Sequence, residues 1–172
     1  MASDRQERAA VRAAQAGSEA ALESLYRDHW PRAYRAAYLV VHDAAGAEDI
    51  AQEAFLAAVR ALDRFDRRRP FGPWLHRIVV NRAIDWARAR SLRAEVELPE
   101  TEAAAPGPSE LETVVAALGT LPPEQRAVIV LRHFLEYTPG EIAELLELPR
   151  GTVNSRLRRG LDELARALED ER

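Results

Sequence analysis

The chain has 172 residues, a formal net charge of −4, 47% hydrophobic and 30% charged residues, and no cysteine. That length suits one ordinary domain or two small ones, and the missing cysteine excludes disulfides, thiolate metal sites and a cysteine nucleophile. Four histidines without metal-ligand spacing, no apolar run near the ~20 residues of a membrane span and a charged start without a secretory core predict a soluble, cytoplasmic protein without metal or cofactor. All 24 basic residues are arginine. That pattern points to genomic base composition, so charge is informative through its distribution. Residues 40–56 hold four acids and no base, and residues 60–93 hold ten arginines against Asp63, Asp66 and Asp85. Residues 94–113 hold six acids and no base, and residues 150–160 hold four arginines and no acid. Such segregation is expected when segments face different partners. A pI near 5.7 argues against a self-sufficient DNA binder.

In chain order, residues 1–18 predict a frayed helix or disordered tail. Residues 19–41 carry Leu22, Leu25, Tyr26, Ala33, Ala37, Tyr38 and Val41 at helical spacing, with a break or restart at Pro31. A polar connection follows and ends in Gly46. Residues 47–63 predict a helix with Ala51, Phe55, Val59 and Leu62 as its buried stripe. Asp49, Gln52, Glu53, Leu56 and Arg60 fall on the other side, as a partner surface or a solvated face. Residues 64–73 read as a loop broken by Pro70, Gly72 and Pro73. A helix over 74–90 then puts Leu75, Val79, Ala83, Trp86 and Ala87 on one arc and Trp74, Arg77, Asn81, Asp85 and Arg88 opposite. The loop's Arg68, Arg69 and Phe71, feeding that polar stripe, suggest contact with nucleic acid and unstacked bases. A solvated stripe is the alternative, although an exposed Trp usually has a partner.

Residues 94–108 are rich in Pro, Ala and acids without periodicity, which predicts a flexible acidic linker. Together with its flanks it spans at most ~55 Å, about 16 base pairs of duplex. Ser109 and Glu112 form a capping box ahead of Leu111, Val114, Val115 and Leu118. Gly119 reads as a C-cap, and Pro122 and Pro123 start a helix with Val128, Leu131 and Leu135 on its core face. Thr138 and Glu141 form a second capping box, opening a short helix with Ile142, Ala143, Leu145 and Leu146. After a break at Glu147 and Leu148, Pro149 starts a longer helix. Val153, Leu157, Leu161, Leu164 and Leu168 make its buried stripe. Arg150, Asn154, Ser155, Arg158 and Arg159 lie on its free side. This matches a helix-turn-helix, with an ordinary helical hairpin as the alternative.

Four blocks in this order resemble the extracytoplasmic-function (ECF) type of RNA polymerase sigma factor, which keeps regions 2 and 4 only. They are AEDIAQEAFLAAVR, RFDRRRPFGPWLHRIVVNRAIDWAR, LPPEQRAVIVLRHF and YTPGEIAELLELPRGTVNSRLRRGLDEL. The resemblance implies an all-α fold of two small helical domains. Residues 1–18 would be a tail, 19–93 region 2, 94–108 the linker and 109–172 region 4. It implies an alternative sigma factor, not an enzyme, whose partners are core RNA polymerase, promoter DNA and an anti-sigma factor. Neither a small-molecule substrate nor membrane insertion is implied. Asp49, Gln52, Glu53 and Leu56 would meet polymerase. Arg68, Arg69, Phe71, Trp74, Arg77, Asn81 and Arg88 would open and read the −10 element. Arg150, Thr152, Asn154, Ser155, Arg158 and Arg159 would read the −35 element. Asn154 departs from the family's G-T-V-x-S-R core, where a base is frequent, and Asn favours adenine where Arg favours guanine. The rival reading is a helix-turn-helix regulator with an N-terminal sensor or dimerisation domain. The D-x-x-Q-E helix and the WLHRIVVNRAIDWAR block count against it.

Overall fold

The structure, a computed structural model, describes residues 2–94 and 110–170, and among these it contains eight α-helices and no strand. They are α1 (Ala2–Gln15), α2 (Glu19–Val41), α3 (Ala44–Ala61), α4 (Phe71–Ala94), α5 (Glu110–Gly119), α6 (Pro123–Ile129), α7 (Pro139–Leu146) and α8 (Arg150–Asp170). The expected linker after Ala94, and the capping Ser109, lie outside the described residues.

Local chemistry sets most boundaries. Ser18 Oγ accepts from the Ala21 N–H at 3.3 Å and starts α2. His42 closes α2 in the left-handed conformation (φ 54°), its N–H bonded to Tyr38 O at 2.8 Å. Asp43 Oδ1 then accepts from Gly46 N–H at 2.7 Å, so α3 begins three residues earlier than expected and Gly46 lies inside it. Pro31 does not break α2. It sits on the exposed side, where water can satisfy the carbonyl that its missing N–H leaves unpaired. Likewise α4 starts at Phe71, because Pro73 falls in the first turn, where no N–H is needed.

The first half packs α2, α3 and α4 around Ala33, Val40, Ala54, Leu75, Val79 and Val80, all essentially buried. Small side chains let these helices approach closely, most of all at Gly46. A Cβ there would lie 2.6 Å from Trp86 Cζ2 and 3.0 Å from Cε2, against a rigid ring. Residues 1–18 are not a loose tail: α1 buries Val11 and Ala14. The Gln15 amide donates to the carbonyls of Leu62 at 2.8 Å and Phe65 at 3.1 Å. Isolated short helices are marginal in water, and tertiary contact supplies what α1 lacks locally.

The second half packs α6, α7 and α8 around Val128, Leu131, Ile142, Val153 and Leu157. A π-helical turn, Val130–Phe134, follows α6. The Thr138–Glu141 capping box forms in both directions, with Thr138 N–H to Glu141 Oε2 at 2.7 Å and Glu141 N–H to Thr138 Oγ1 at 3.3 Å. Glu147 makes the tight turn in the left-handed region (φ 55°), and α8 crosses α7 as a helix-turn-helix. Gly119 is not a left-handed cap. Instead the Arg126 guanidinium takes the carbonyls of Gly119 and Leu121, each at 2.7 Å.

The two halves touch. Helix α2 meets α5, α6 and the π-helical turn, and α4 meets α6 and α7. Arg126 also donates to Val40 O in α2 and, at 3.1 Å, to His42 Nδ1.

Replacing Gly46 by Ala should lower stability by about 1–2 kcal/mol, the overpacking cost outweighing the gain in helix propensity. Urea denaturation checks this; an unchanged midpoint would mean that Trp86 moves aside freely.

Candidate nucleic-acid interface

Three surfaces carry the expected contact residues. On α3, Asp49, Gln52, Glu53 and Leu56 are all exposed. Glu53 Oε2 is bonded to Arg82 of α4 at 3.0 Å. Leu56 is 55% exposed and is joined by Val59, expected inside but 46% exposed, and by Tyr26 of α2. With Leu22, Phe55 and Leu62 these line a nearly wholly apolar groove of about 450 Å³ between α2 and α3. Open apolar surface of this kind, with Glu23 and Gln52 as its polar lining, is chemistry for a partner helix. The sequence reading placed Val59 on the buried stripe of this helix. Tyr26 was assigned to a core stripe.

The second surface is the arginine loop and the stripe of α4. Asp66 shapes the loop: its Oδ1 accepts from Arg68 N–H at 3.0 Å and its carbonyl from Arg69 N–H at 3.0 Å. Arg67, Arg68 and Arg69 are thereby held out in solvent. Phe71, expected to meet DNA, is instead 3% exposed. Its ring packs edge-on against Phe65 at 5.9 Å and Trp74 at 5.6 Å, so it anchors the loop from inside. Trp74 is half-buried, packed at a tilt against Phe65 with ring centres 4.5 Å apart. Asn81 and Arg88 are exposed and Arg77 partly so.

Sequence reasoning missed Glu7. Its Oε2 accepts from the Phe71 N–H at 3.2 Å, and its Oε1 meets His29 Nε2 at 3.0 Å. A carboxylate at a helix N-terminus takes up unpaired N–H groups and favours the dipole. The His29 hydrogen bond, with the Phe71 amide, holds the Glu7 carboxyl below the usual range despite partial burial. No sequence signal links residues 64 positions apart.

The third surface is α8. Arg150, Asn154, Arg158 and Arg159 are exposed, and Thr152 and Ser155 partly so. Ser155 Oγ receives Arg159 at 3.3 Å and donates to Thr152 O at 3.3 Å. Farther along, Leu161, expected inside, is 40% exposed.

Two histidines sit where the halves meet. His42 accepts from Arg126 through Nδ1, so Nε2 carries the proton and donates to Val115 O at 2.7 Å. Burial, then the Arg126 charge, lowers its pKa. His76 of α4 is buried and bonded through Nδ1 to Tyr137 Oη at 2.7 Å. Burial, followed by the nearby His29 and Arg32, brings its pKa down to about 4, against a small opposing effect of Glu7.

The comparisons with known proteins divide along the same lines. The family description "Sigma-70 region 2" matches residues 25–93, and "Sigma-70, region 4" matches residues 111–164. The ECF RNA polymerase sigma factor SigM of Mycobacterium tuberculosis is 35% identical over 156 residues, covering 89% of this chain and 80% of that protein. The ECF RNA polymerase sigma factor SigW of Bacillus subtilis is 35% identical over 164 residues, covering 85% and 86%. Among solved structures, CnrH in complex with the cytosolic domain of CnrY matches with a TM-score of 0.73 and 29% identity over 97% of this chain and 99% of that one. RpoE of Bartonella quintana, with the anti-sigma factor NepR, shares the fold at a TM-score of 0.71 and 23% identity, over 87% and 98%.

The histidines give a pH prediction. Both have depressed folded pKa values, so the stability they allow is fully present above about pH 6.5 and falls as the pH drops. For His76 the loss is complete by about pH 4 and amounts to at most roughly 3 kcal/mol. Denaturant unfolding between pH 7 and 4.5, above the titration of the lowered carboxyls Glu7, Glu124 and Glu141, should show this slope. His76→Gln should flatten it; an equally steep slope would assign the loss elsewhere.

Proposed function

The chain belongs to the ECF-type RNA polymerase sigma factors, alternative sigma factors that direct transcription initiation, and we propose how its surfaces divide that work. Residues 19–93 act as region 2 and residues 109–172 as region 4, joined by the acidic segment 94–108 and preceded by residues 1–18. The protein works in the cytoplasm, without catalysis of its own.

The observation that carries the reading is the apolar groove beside α3, lined by Gln52 and Leu56, on the helix that also exposes Asp49 and Glu53. It takes a helix of core RNA polymerase, with Leu56, Val59 and Tyr26 as the anchors, and Asp49, Gln52 and Glu53 meet polymerase beside it. CnrH is seen with the cytosolic domain of CnrY, and an anti-sigma factor is the second partner for the regions that bind polymerase. Arg68, Arg69, Trp74, Arg77, Asn81 and Arg88 engage the −10 strand, with Phe71 holding the loop from beneath. Unstacking a base costs a few kcal/mol, which aromatic stacking and phosphate contacts offset. Arg150, Thr152, Asn154, Ser155, Arg158 and Arg159 of α8 read the −35 element in the major groove. Docking on polymerase raises the local concentration of two weak readers, which fits a chain with net charge −4.

Run-off transcription with core RNA polymerase tests this, followed by start-site mapping. Productive initiation at paired elements is expected. No transcription, with a palindromic footprint by the chain alone, would mark a helix-turn-helix regulator instead. Asn81→Ala should impair promoter opening, read by permanganate, more than core binding; the reverse pattern would remove Asn81 from the −10 site. Arg158→Ala should weaken −35 duplex binding and reduce the salt slope by about 1, whereas an unchanged slope would exclude a phosphate contact there.

A further inference from the structure

Helix α1 lies ahead of the residues matched as region 2, yet it holds both ends of the arginine loop. The loop, residues 66–70, runs from the 3₁₀ turn Leu62–Arg64 and its closing Phe65 to the start of α4. At the near end the Gln15 amide donates to Leu62 O at 2.8 Å and to Phe65 O at 3.1 Å. Carbonyls at a helix end lack partners further along the helix, and a side-chain amide with two N–H donors suits both. At the far end Glu7 Oε2 accepts from the Phe71 N–H at 3.2 Å, while Oε1 meets His29 Nε2 at 3.0 Å. The Gly72 N–H is a smaller contributor to the same carboxylate.

Helix α4 has no cap of its own. The residue before it is Pro70, whose ring carries no acceptor, and its first turn holds no acid. Glu7 supplies from another helix what a local Ser or Asp usually supplies. His29 completes the seat. Its ring lies tilted against Phe71, centres 5.1 Å apart, and a Cβ on Gly72 would come within 3.3 Å of His29 Cε1. Val11 and Ala14, both buried, anchor α1 itself.

Between the two clamps Arg67, Arg68 and Arg69 stand in solvent. Asp66 bonds only to backbone within the loop. Among the described residues, no side chain of another helix bonds residues 66–70. The placement of the arginines beside Trp74 and Asn81 is therefore set by where the loop's ends are held. Ordering a loose loop on binding costs conformational free energy, which a loop held in place beforehand does not lose.

We propose that α1 is a positioning element for −10 reading, with Glu7 and Gln15 as the residues through which it acts. They fix Phe71 and Phe65 so that the arginine loop and Trp74 meet the unstacked strand already in place. The proposal rests on the assignment of this loop to the −10 strand.

The test uses holoenzyme assembled from the full chain and core RNA polymerase, on the promoter found by start-site mapping, with 2-aminopurine in its −10 element. Opening is read as the rate of the fluorescence rise when that base unstacks. Glu7→Ala and Gln15→Ala should each slow opening on the order of tenfold, as losing the hydrogen bonds that hold a loop end implies. Core binding and −35 duplex binding should match the unaltered chain. Glu7→Gln keeps an acceptor for the Phe71 N–H and should recover part of the rate. Val40→Ala, a buried change at the far end of α2 from His29, controls for lost stability, read by urea midpoint, and should open promoters at the unaltered rate. Normal opening by Glu7→Ala, a slowing that Val40→Ala shares, or core binding lost in step with opening would each overturn the positioning role. No recovery with Glu7→Gln would overturn capping as its means. Failure of the −10 assignment itself shows separately, as Asn81→Ala retaining promoter opening.

Discussion

One buried guanidinium holds the molecule in the form described. Arg126 reaches out of α6 to the carbonyl of Val40 and the ring of His42 on one side, and to the carbonyls of Gly119 and Leu121 on the other. Helices end with carbonyls that have no partner in the helix, and their C-termini attract positive charge. A single cation therefore serves the ends of α2 and α5 at once. Burial pulls the Arg126 pKa down to about 10, so it stays charged at neutral pH, and charge-assisted bonds offset its desolvation. The exposed ion pairs of α4, Arg77 with Glu147 and Arg88 with Glu124, are individually weak by comparison. They add to the contact, while Arg126 fixes the point about which the halves meet.

That arrangement gives meaning to the charge pattern. A chain with net charge −4 keeps its arginine-rich α4 beside the acids of α6 and α7, and leaves the arginines of α8 toward solvent. The acids of α3 are exposed, Glu53 among them paired with Arg82 of α4. Each charge block thus has distinct surroundings in the fold, and complementary charge is where specificity can arise.

What was legible in the sequence was local. The Thr138–Glu141 box, the turn at Glu147 and the α8 face with Arg150, Asn154 and Arg158 involve residues within a few positions, and they form as read. The α3 carboxylates and Leu56 were likewise placed correctly on an outer face. Periodicity, however, states which residues share a face and not which face another element covers. Val59 and Leu161 followed the apolar stripes yet remain exposed. Phe71 followed a basic loop and looked available, yet Phe65 and Trp74 enclose it.

The sequence by itself determined the all-helical class, the two-part division and the helix-turn-helix, because caps, turns and apolar spacing are short-range, and four motif blocks carried the resemblance to the family. Only the tertiary structure decided that α1 docks, that Glu7 caps α4 from 64 residues away, and that Arg126 joins the halves. Those contacts depend on where distant segments come to rest, and a hydrogen bond or ion pair between such residues leaves no periodic trace in the chain.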